Sequence, residues 1–251
     1  MKTIYIRGGK GSNTAIHVMM HHFVELGHEV VRSKEEPSDV GLSWGCSYQG
    51  PKPFLNARVN QYDKFSCFKE FRANKVLCPF TYDARYIMDH VIPRGEVWLA
   101  RKRHHQKGKD IVVCKTTDEA RRVVAAGEHD FFSVFIPTDT EYRVWVFQNK
   151  ALGVYEKQFK GEGEYEGFMR NRRFGFKFEK RDDLRGSHPI EGPCIAAVKA
   201  LGMDWGAVDI LKGLDGKYYV LEINSMPHID SIKRSSGVRL AQHISKWAEQ
   251  Q

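Results

Sequence analysis

Three oxygen-bearing side chains near the carboxyl end of the chain have the types and spacing of a cation site. Asp209 is followed by Glu222, and Asn224 comes two residues later. The dipeptide Asp215-Gly216 between them is a strong signal for a tight β-hairpin, and an apolar run flanks it on each side. Two antiparallel strands joined there would bring Asp209 beside Glu222, and the two-residue period of a strand would point Glu222 and Asn224 to one face. Oxygen ligands that converge in this way suit Mg²⁺, which keeps waters and substrate phosphates as its other ligands.

An ordinary hairpin with polar residues is the alternative explanation of this spacing. Glu222, however, lies inside the apolar run Val-Leu-Glu-Ile. An acidic side chain in such surroundings is costly unless it is paired or bound to a metal. The sequence therefore favours the cation site.

Composition and charge limit the class of protein. At 251 residues, with 41% hydrophobic and 28% charged residues, the chain can form one large domain or several lobes around a sizeable core. It has no apolar run of about eighteen residues, so we expect no transmembrane helix. The five cysteines are scattered without a Cys-x-x-Cys pair, which predicts a reducing, cytoplasmic location without a disulfide framework. The net charge of +8 favours acidic partners such as nucleotide phosphates, nucleic acid or an acidic protein surface.

Strands and helices alternate over the first fifty residues, which predicts a small parallel α/β lobe. Glycine and proline then cluster at 50–53 and mark a lobe boundary. We predict three parts: an amino-terminal α/β lobe at 1–53, a small lobe with a phosphate-covering loop at 54–136, and a large lobe with the metal and catalytic site at 137–251. The predicted helices are 12–26, 64–73, 117–126, 193–201 and 238–248. The predicted strands are 2–6, 29–32, 40–44, 97–101, 111–115, 131–136, 141–148, 151–159, 207–211 and 218–223.

The order of these parts resembles the ATP-grasp superfamily, in particular the carboxylate–amine ligases that include the ribosomal-protein glutamate ligase. The resemblance covers residues 54–232, and the first fifty residues resemble the lobe that precedes the ATP-grasp region in this family. The most specific motif is the hairpin with Gly206-Ala-Val-Asp209 and Leu-Glu222-Ile-Asn224. Weaker motifs occur in the family's order: Lys64 at a helix start, then Glu141-Tyr-Arg143, then Phe168-Met-Arg170-Asn171.

The resemblance implies an α/β, ATP-grasp fold in which ATP phosphorylates a carboxylate and an amine attacks the acyl phosphate. Implied cofactors are ATP and Mg²⁺, with Mn²⁺ as an alternative. Asp209, Glu222 and Asn224 would bind the metal, and Arg170 and Lys157 would act on the reacting groups. The implied nucleotide contacts are Lys64, Arg101, Lys102, Phe135, Ile136, Glu141, Arg143 and Asn171, with adenine at the hinge 135–137 and Glu141 near the ribose.

The chain departs from the family at the strand that usually carries a phosphate-contacting lysine. Arg101 stands there with Lys102 beside it, and we favour Arg101 for the contact. The following loop, 103–109, is basic and keeps one glycine, Gly108, where the family has several. Side-chain cations would then replace backbone amides in covering the phosphates.

Two other functions fit parts of the sequence. The cations interleaved with phenylalanines over 170–185 are typical of a nucleic-acid-binding strand, although a half-buried strand shows the same alternation. An ATP-grasp kinase that phosphorylates without ligating is the second alternative. We expect small-molecule carboxylate and amine substrates or an acidic macromolecular acceptor, and no membrane partner; nucleic acid is not favoured, and the oligomeric state stays open.

Overall fold

The computed structural model describes residues 1–9, 13–48, 53–57, 63–89, 91–93, 95–104, 111–162, 170, 172–186, 188–227, 229 and 235–251. Within these ranges the strands form three sheets. Asn171 and the loop residues 105–110 and 163–169, on which parts of the sequence analysis rest, lie outside them. Within the described ranges, no helix combines the length and the apolar character needed to span a membrane.

The first sheet is parallel, with strands β1 (Thr3–Gly8), β2 (Glu29–Val31), β3 (Val40–Trp44) and β4 (Phe54–Leu55) in the order β2-β1-β3-β4. Helix α1 (Asn13–Glu25) crosses from β1 to β2. It buries Ile16, Met19 and Phe23 at helical spacing. The two residues of β4 extend the sheet beyond residue 53.

The second sheet contains β5 (Thr81–Asp83), β6 (Trp98–Arg101), β7 (Val112–Cys114) and β8 (Phe131–Val134) in the antiparallel order β5-β8-β6-β7. Helix α3 (Thr117–Ala125) packs beside it and begins with a capping box formed by Thr116 and Glu119. The Thr116 hydroxyl accepts a hydrogen bond from the Glu119 N–H, and the Glu119 carboxylate accepts one from the Thr116 N–H.

The third sheet has the antiparallel order β11-β10-β9-β12-β13. Its strands are β9 (Thr138–Phe147), β10 (Lys150–Phe159), β11 (Phe176–Lys180), β12 (Trp205–Gly213) and β13 (Tyr218–Asn224). One face is apolar and packs against α2 (Lys64–Ala73) and α4 (Glu191–Ala200). Helix α2 was assigned by sequence to the second lobe, yet its phenylalanines Phe65, Phe68 and Phe71 lie in the core of the third sheet.

The opposite face of the third sheet changes character along its strands. At one end, Trp145, Phe147, Trp205 and Ala207 pack against α5 (Ser235–Glu249) and the first sheet. At the other end, the same face carries Glu141, Arg143 and Asp209, because side chains two residues apart on a strand point the same way. The sheet thus fixes a polar site at the edge of a packed core.

A buried asparagine joins the first sheet to the third. The Asn56 side chain donates to the Trp205 carbonyl at 2.9 Å and accepts from the Asp204 and Trp205 N–H groups at 2.7 and 3.1 Å. Its own N–H donates to the Asp204 carboxylate at 2.6 Å. The rings of Trp44 and Trp205 pack nearby at 4.4 Å between centroids. No local sequence pattern predicts this junction, because its partners are about 148 residues apart in the chain.

Candidate active site

A row of three charged side chains, here called the acidic row, crosses neighbouring strands of the third sheet and consists of Arg143, Asp209 and Glu222. Asp209 on β12 lies opposite Arg143 on β9 and opposite Glu222 on β13. The pairing between β12 and β13 shifts just after Asp209, so Leu221 is an extra residue on β13. The Asp215-Gly216 turn and the strand register therefore place the two predicted acids side by side, as the sequence indicated.

Asp209 is held by Arg143 through two parallel hydrogen bonds. Arg143 Nε donates to Asp209 Oδ1 at 2.6 Å, and Nη2 donates to Oδ2 at 2.7 Å. Burial by itself raises the pKa of Asp209, but the attraction of Arg143 and then of Lys157 outweighs it and lowers this pKa below its usual value. The carboxylate therefore stays ionised in a site where its side chain is only 6% exposed.

Glu222 is paired with the first residue of α2. Lys64 Nζ donates to Glu222 Oε2, which fixes the helix start against β13. Burial raises the pKa of Glu222, whereas Lys64, opposed by Asp209, lowers it, and the result lies below the usual value. Arg101 at the end of β6 adds further attraction. The second sheet thus contributes a cation to the acidic row.

Asp63 sets the position of Lys64. It caps α2 by accepting a hydrogen bond from the Ser66 N–H at 3.0 Å. Arg103, two residues beyond β6, contacts the Asp63 carboxylate at 3.3 Å and stacks on Phe65 at 4.8 Å. Arg103, the first residue of the basic loop 103–109, therefore anchors that loop to the start of α2. No local sequence pattern predicts this contact.

A second acid–base pair lies beside the row. Lys157 on β10 donates to the Glu141 carboxylate, and both side chains are mostly buried. Burial raises the pKa of Glu141, and the attraction of Lys157 offsets only part of this effect. Glu141 is thus paired with Lys157 beside the acidic row. The ribose contact predicted for it stays a prediction.

Phe178 on β11 covers the cations of this cluster. Its ring lies 4.6 Å from the Arg143 guanidinium and 5.7 Å from the Lys157 ammonium. Phe176 on the same strand is buried and faces the Arg170 guanidinium at 5.9 Å. These two aromatic rings therefore contact internal cations, which weakens the case for a base-stacking strand.

The remaining predicted site residues surround the row. Arg170 Nη2 donates to the Thr138 carbonyl at 2.5 Å, which places it at the start of β9, near Glu141. Asn224 lies opposite Ala207, and its Oδ1 accepts from the Met226 N–H at 2.8 Å. Lys102 is half-buried beside Arg101, and Arg101 is the one of these two that adds to the attraction of Lys64 on Glu222.

The predicted hinge connects β8 of the second sheet to β9 of the third. The Phe135 N–H donates to the Val97 carbonyl at 2.7 Å, and the Pro137 carbonyl accepts from the Leu214 N–H at 3.0 Å. Ile136 lies between these two fixed points. The hinge is thus anchored to both sheets, at the junction where adenine was predicted.

Residues 72–248 match the RimK-like ATP-grasp domain family. The chain belongs to this family. A probable alpha-L-glutamate ligase of Picosynechococcus sp. is 26% identical over 149 residues, which are 57% of this chain and 47% of that protein. The chain therefore spans about half the length of the curated relatives it matches.

Solved ATP-grasp structures share the fold over almost the whole chain. The ATP-grasp ligase PsnB complexed with a minimal precursor has a TM-score of 0.71 at 12% identity, covering 98% of both chains. The macrocyclase MdnC from Microcystis aeruginosa, bound with the precursor peptide MdnA, has a TM-score of 0.65 at 12% identity, covering 100% of both chains. The ATP-grasp fold expected from the sequence is confirmed.

The residues of the acidic row fit the divalent cation that the family implies. Asp209 and Glu222 are neighbouring carboxylates on one face, both with pKa values below their usual range, and Asn224 follows on the same strand. Hard oxygen donors of this kind suit Mg²⁺. In the structure, Arg143 and Lys64 balance the negative charge of these two acids.

Proposed function

We propose that this protein is an ATP-dependent ligase that joins a carboxylate to an amine through an acyl phosphate. The observation that carries the proposal is the Arg143–Asp209–Glu222 row of the third sheet, which lies close enough to Arg101 of the second sheet for that cation to act on Glu222. Family membership supports the same reaction, because the matched relative bears the name of a glutamate ligase. The row, the hinge, and Arg101 with Lys102 at the end of β6 would together supply the groups that phosphoryl transfer to a carboxylate requires.

The nucleotide would lie between the second and third sheets. Ile136 at the hinge is the candidate for backbone hydrogen bonds to adenine, since the groups on either side of it already bond Val97 and Leu214. Arg101 is the candidate phosphate contact, because its charge acts on Glu222. We assign Lys102 to the periphery of the phosphates, and the contact predicted for Asn171 concerns a residue outside the described ranges.

Asp209, Glu222 and Asn224 would hold Mg²⁺, with Mn²⁺ as a substitute. When bound, the metal would supply positive charge against the β- and γ-phosphates. Arg143 keeps the Asp209 carboxylate ionised and oriented through its two hydrogen bonds. Lys64 donates a hydrogen bond to Glu222 in the structure. When that carboxylate binds a cation, the Lys64 ammonium would be released to contact phosphate oxygens.

The reacting carboxylate would lie near Lys157 and Arg170. Arg170 is anchored at Thr138 and provides a positioned cation for the charge that develops on the acyl group. Lys157 donates a hydrogen bond to the Glu141 carboxylate and would orient a phosphate oxygen or the acyl oxygen. Phe178 shields Lys157 and Arg143 from solvent on one side, which strengthens their electrostatic effect.

For the substrates, we propose a peptide or protein that carries the carboxylate and a small amine or a second peptide group as acceptor. Structures of the ATP-grasp ligase PsnB and of the macrocyclase MdnC each contain a precursor peptide, which supports a peptide substrate here. The net charge of +8 supports an acidic one. A cytoplasmic setting, predicted from the scattered cysteines, would supply ATP and reduced thiols.

The proposal is tested by product analysis. The protein is incubated with ATP, Mg²⁺ and pools of acidic peptides, amino acids and amines, and ADP, phosphate and product masses are measured. A ligase forms ADP and free phosphate only when a carboxylate and an amine are both present, with a product mass that shows loss of water. A phosphorylated product without free phosphate would instead establish the kinase alternative, and failure to bind ATP would overturn the proposal.

A further inference from the structure

A second concave site lies at the opposite end of β10 from the acidic row. It has a volume of about 330 Å³. Three cations and one imidazole contribute to its walls, and two apolar residues form the rest. The described lining residues are Lys150, Ala151, Leu152, Arg185, Arg239 and His243. None of these lining residues is acidic, although Asp182 lies near enough to Arg239 and Arg185 to interact with both.

Arg239 is a positioned cation in this basic pocket. Its Nη1 donates to the Leu152 carbonyl at 2.8 Å, which fixes the guanidinium against β10. Asp182 approaches its Nη2 at 4.0 Å, and the same carboxylate accepts a hydrogen bond from Lys180 at 2.5 Å. A guanidinium has five N–H donors, so Arg239 keeps donors for a ligand.

His243 lies close enough to Lys150 in the pocket wall, and to Lys246 on its own helix, to be affected by their charge. Burial lowers the pKa of His243, and repulsion from Lys150 and from Lys246 lowers it further. Like charges gathered in one place oppose folding. A bound anion would offset this repulsion, so the pocket has a physical reason to take one.

We propose that the basic pocket binds carboxylate side chains of an acidic peptide segment. Lys150, Arg185 and Arg239 provide the charge, and Ala151 and Leu152 provide an apolar floor for the methylene groups of a glutamate. No Phe, Tyr or Trp lies among the described lining residues, and the one ring there, His243, already packs on Phe147 with 5.8 Å between centroids. Single-stranded nucleic acid would therefore lack the open stacking platform on which it depends.

The location suits remote recognition of a peptide substrate. Strand β10 runs from Lys150 at the pocket to Lys157, which is paired with Glu141 beside the acidic row. Seven residue steps on a strand cover about 23 Å. An extended segment of similar length would join a reacting carboxylate to an acidic residue in the pocket. This use of the pocket rests on the proposed ligase function, but binding is measurable without ATP.

The test is fluorescence anisotropy with a labelled glutamate-rich octapeptide and its glutamine counterpart, in the absence of ATP. We expect the full-length protein to bind the glutamate peptide and to release it as salt rises, with the glutamine peptide bound at least about tenfold more weakly. Equal binding of the two peptides, or no binding of either, would overturn the proposal.

Paired variants locate the binding. Lys150→Gln combined with Arg185→Gln removes two exposed cations of the pocket, and we expect affinity for the glutamate peptide to fall about tenfold. The matched control combines Arg85→Gln with Lys199→Gln, two exposed cations elsewhere. An equal loss in the control would show diffuse attraction and contradict the proposal. Circular dichroism confirms that both variants fold.

Competition distinguishes other anions. Displacement of the peptide by inorganic phosphate at lower concentration than by unlabelled peptide would make this a small-anion site and overturn the assignment. Tighter binding of a single-stranded oligonucleotide, lost in the pocket variant, would do so too. Absence of ADP formation would overturn the ligase proposal while leaving peptide binding intact, so the two failures are distinguishable.

Discussion

Arg143 donates a hydrogen bond to each carboxylate oxygen of Asp209 on the neighbouring strand, at 2.6 and 2.7 Å. This pairing explains how an acidic side chain that is only 6% exposed remains ionised inside the third sheet. It also fixes the orientation in which the carboxylate faces Glu222. Arg143 is thus a positioning residue for the proposed cation site, and its geometry has measurable consequences.

Replacing Arg143 by lysine keeps the charge but removes the two-pronged hydrogen bond. We expect Arg143→Lys to lower the rate of ADP formation at least about tenfold, because a lysine cannot hold both oxygens. Arg143→Met leaves Asp209 unpaired and should cost about 3–5 kcal/mol of unfolding free energy. Urea denaturation and an ADP assay measure both effects. Arg85→Met, at a side chain that is 91% exposed, is the control and should change neither by much.

The pH dependence of stability follows from the same pair. The folded pKa of Asp209 is lower than its unfolded value, so the pair stabilises the fold above the unfolded pKa and loses this effect as pH falls through the folded one. We expect the wild type to exceed Asp209→Asn in unfolding free energy by a constant amount above about pH 5, and this excess to decrease progressively below about pH 4. A difference that does not vary over this acidic range would contradict the lowered pKa.

Asn56 should contribute strongly to stability. Its buried side chain satisfies three backbone groups of Asp204 and Trp205, and these would be left without partners in Asn56→Ala. The positive φ of 53° adds strain for alanine. We expect a loss of about 2–4 kcal/mol by urea denaturation. Asn74→Ala, which removes one exposed bond to Glu70, should cost less than about 1 kcal/mol; similar losses would argue against the junction.

Arg101 and Lys102 should differ in their contribution to nucleotide binding. Arg101 lies close enough to Glu222 to lower its pKa, and therefore lies beside the proposed metal and phosphate site. We expect Arg101→Gln to raise the KM for ATP about tenfold and Lys102→Gln to change it less than about threefold. Steady-state ADP formation provides both values. The reverse order would assign the phosphate contact to Lys102.

Local signals accounted for much of the fold. Helix α2 begins at Lys64 and ends at Ala73, and β3 spans Val40–Trp44, as the sequence predicts. Local residues also mark where elements begin and end, as the Asp63 cap does for α2 and the Asp215-Gly216 turn does between β12 and β13. The short strand β4 was missed, since two residues give no readable period and pair only because β3 is present.

The site was predictable in its residue types but not in its pairing. Sequence spacing placed Asp209 beside Glu222, because one hairpin turn connects them. The partners Arg143 and Lys64 lie 66 and 158 residues away in the chain, and only the folded sheet brings them together. The sequence shows Phe178 among alternating cations and phenylalanines, but its position over Arg143 depends on β11 pairing with β10.

The most direct test of the account measures ADP formation from ATP and Mg²⁺ in the wild type, Asp209→Asn and Asp118→Asn, with a substrate pool that supports turnover. Asp118 is an exposed acid at the start of α3 and is the matched control. We predict that Asp118→Asn keeps the wild-type rate, whereas Asp209→Asn loses at least about a thousandfold while it still unfolds cooperatively. An Asp209→Asn protein that forms ADP at the wild-type rate would contradict the assignment of the active site.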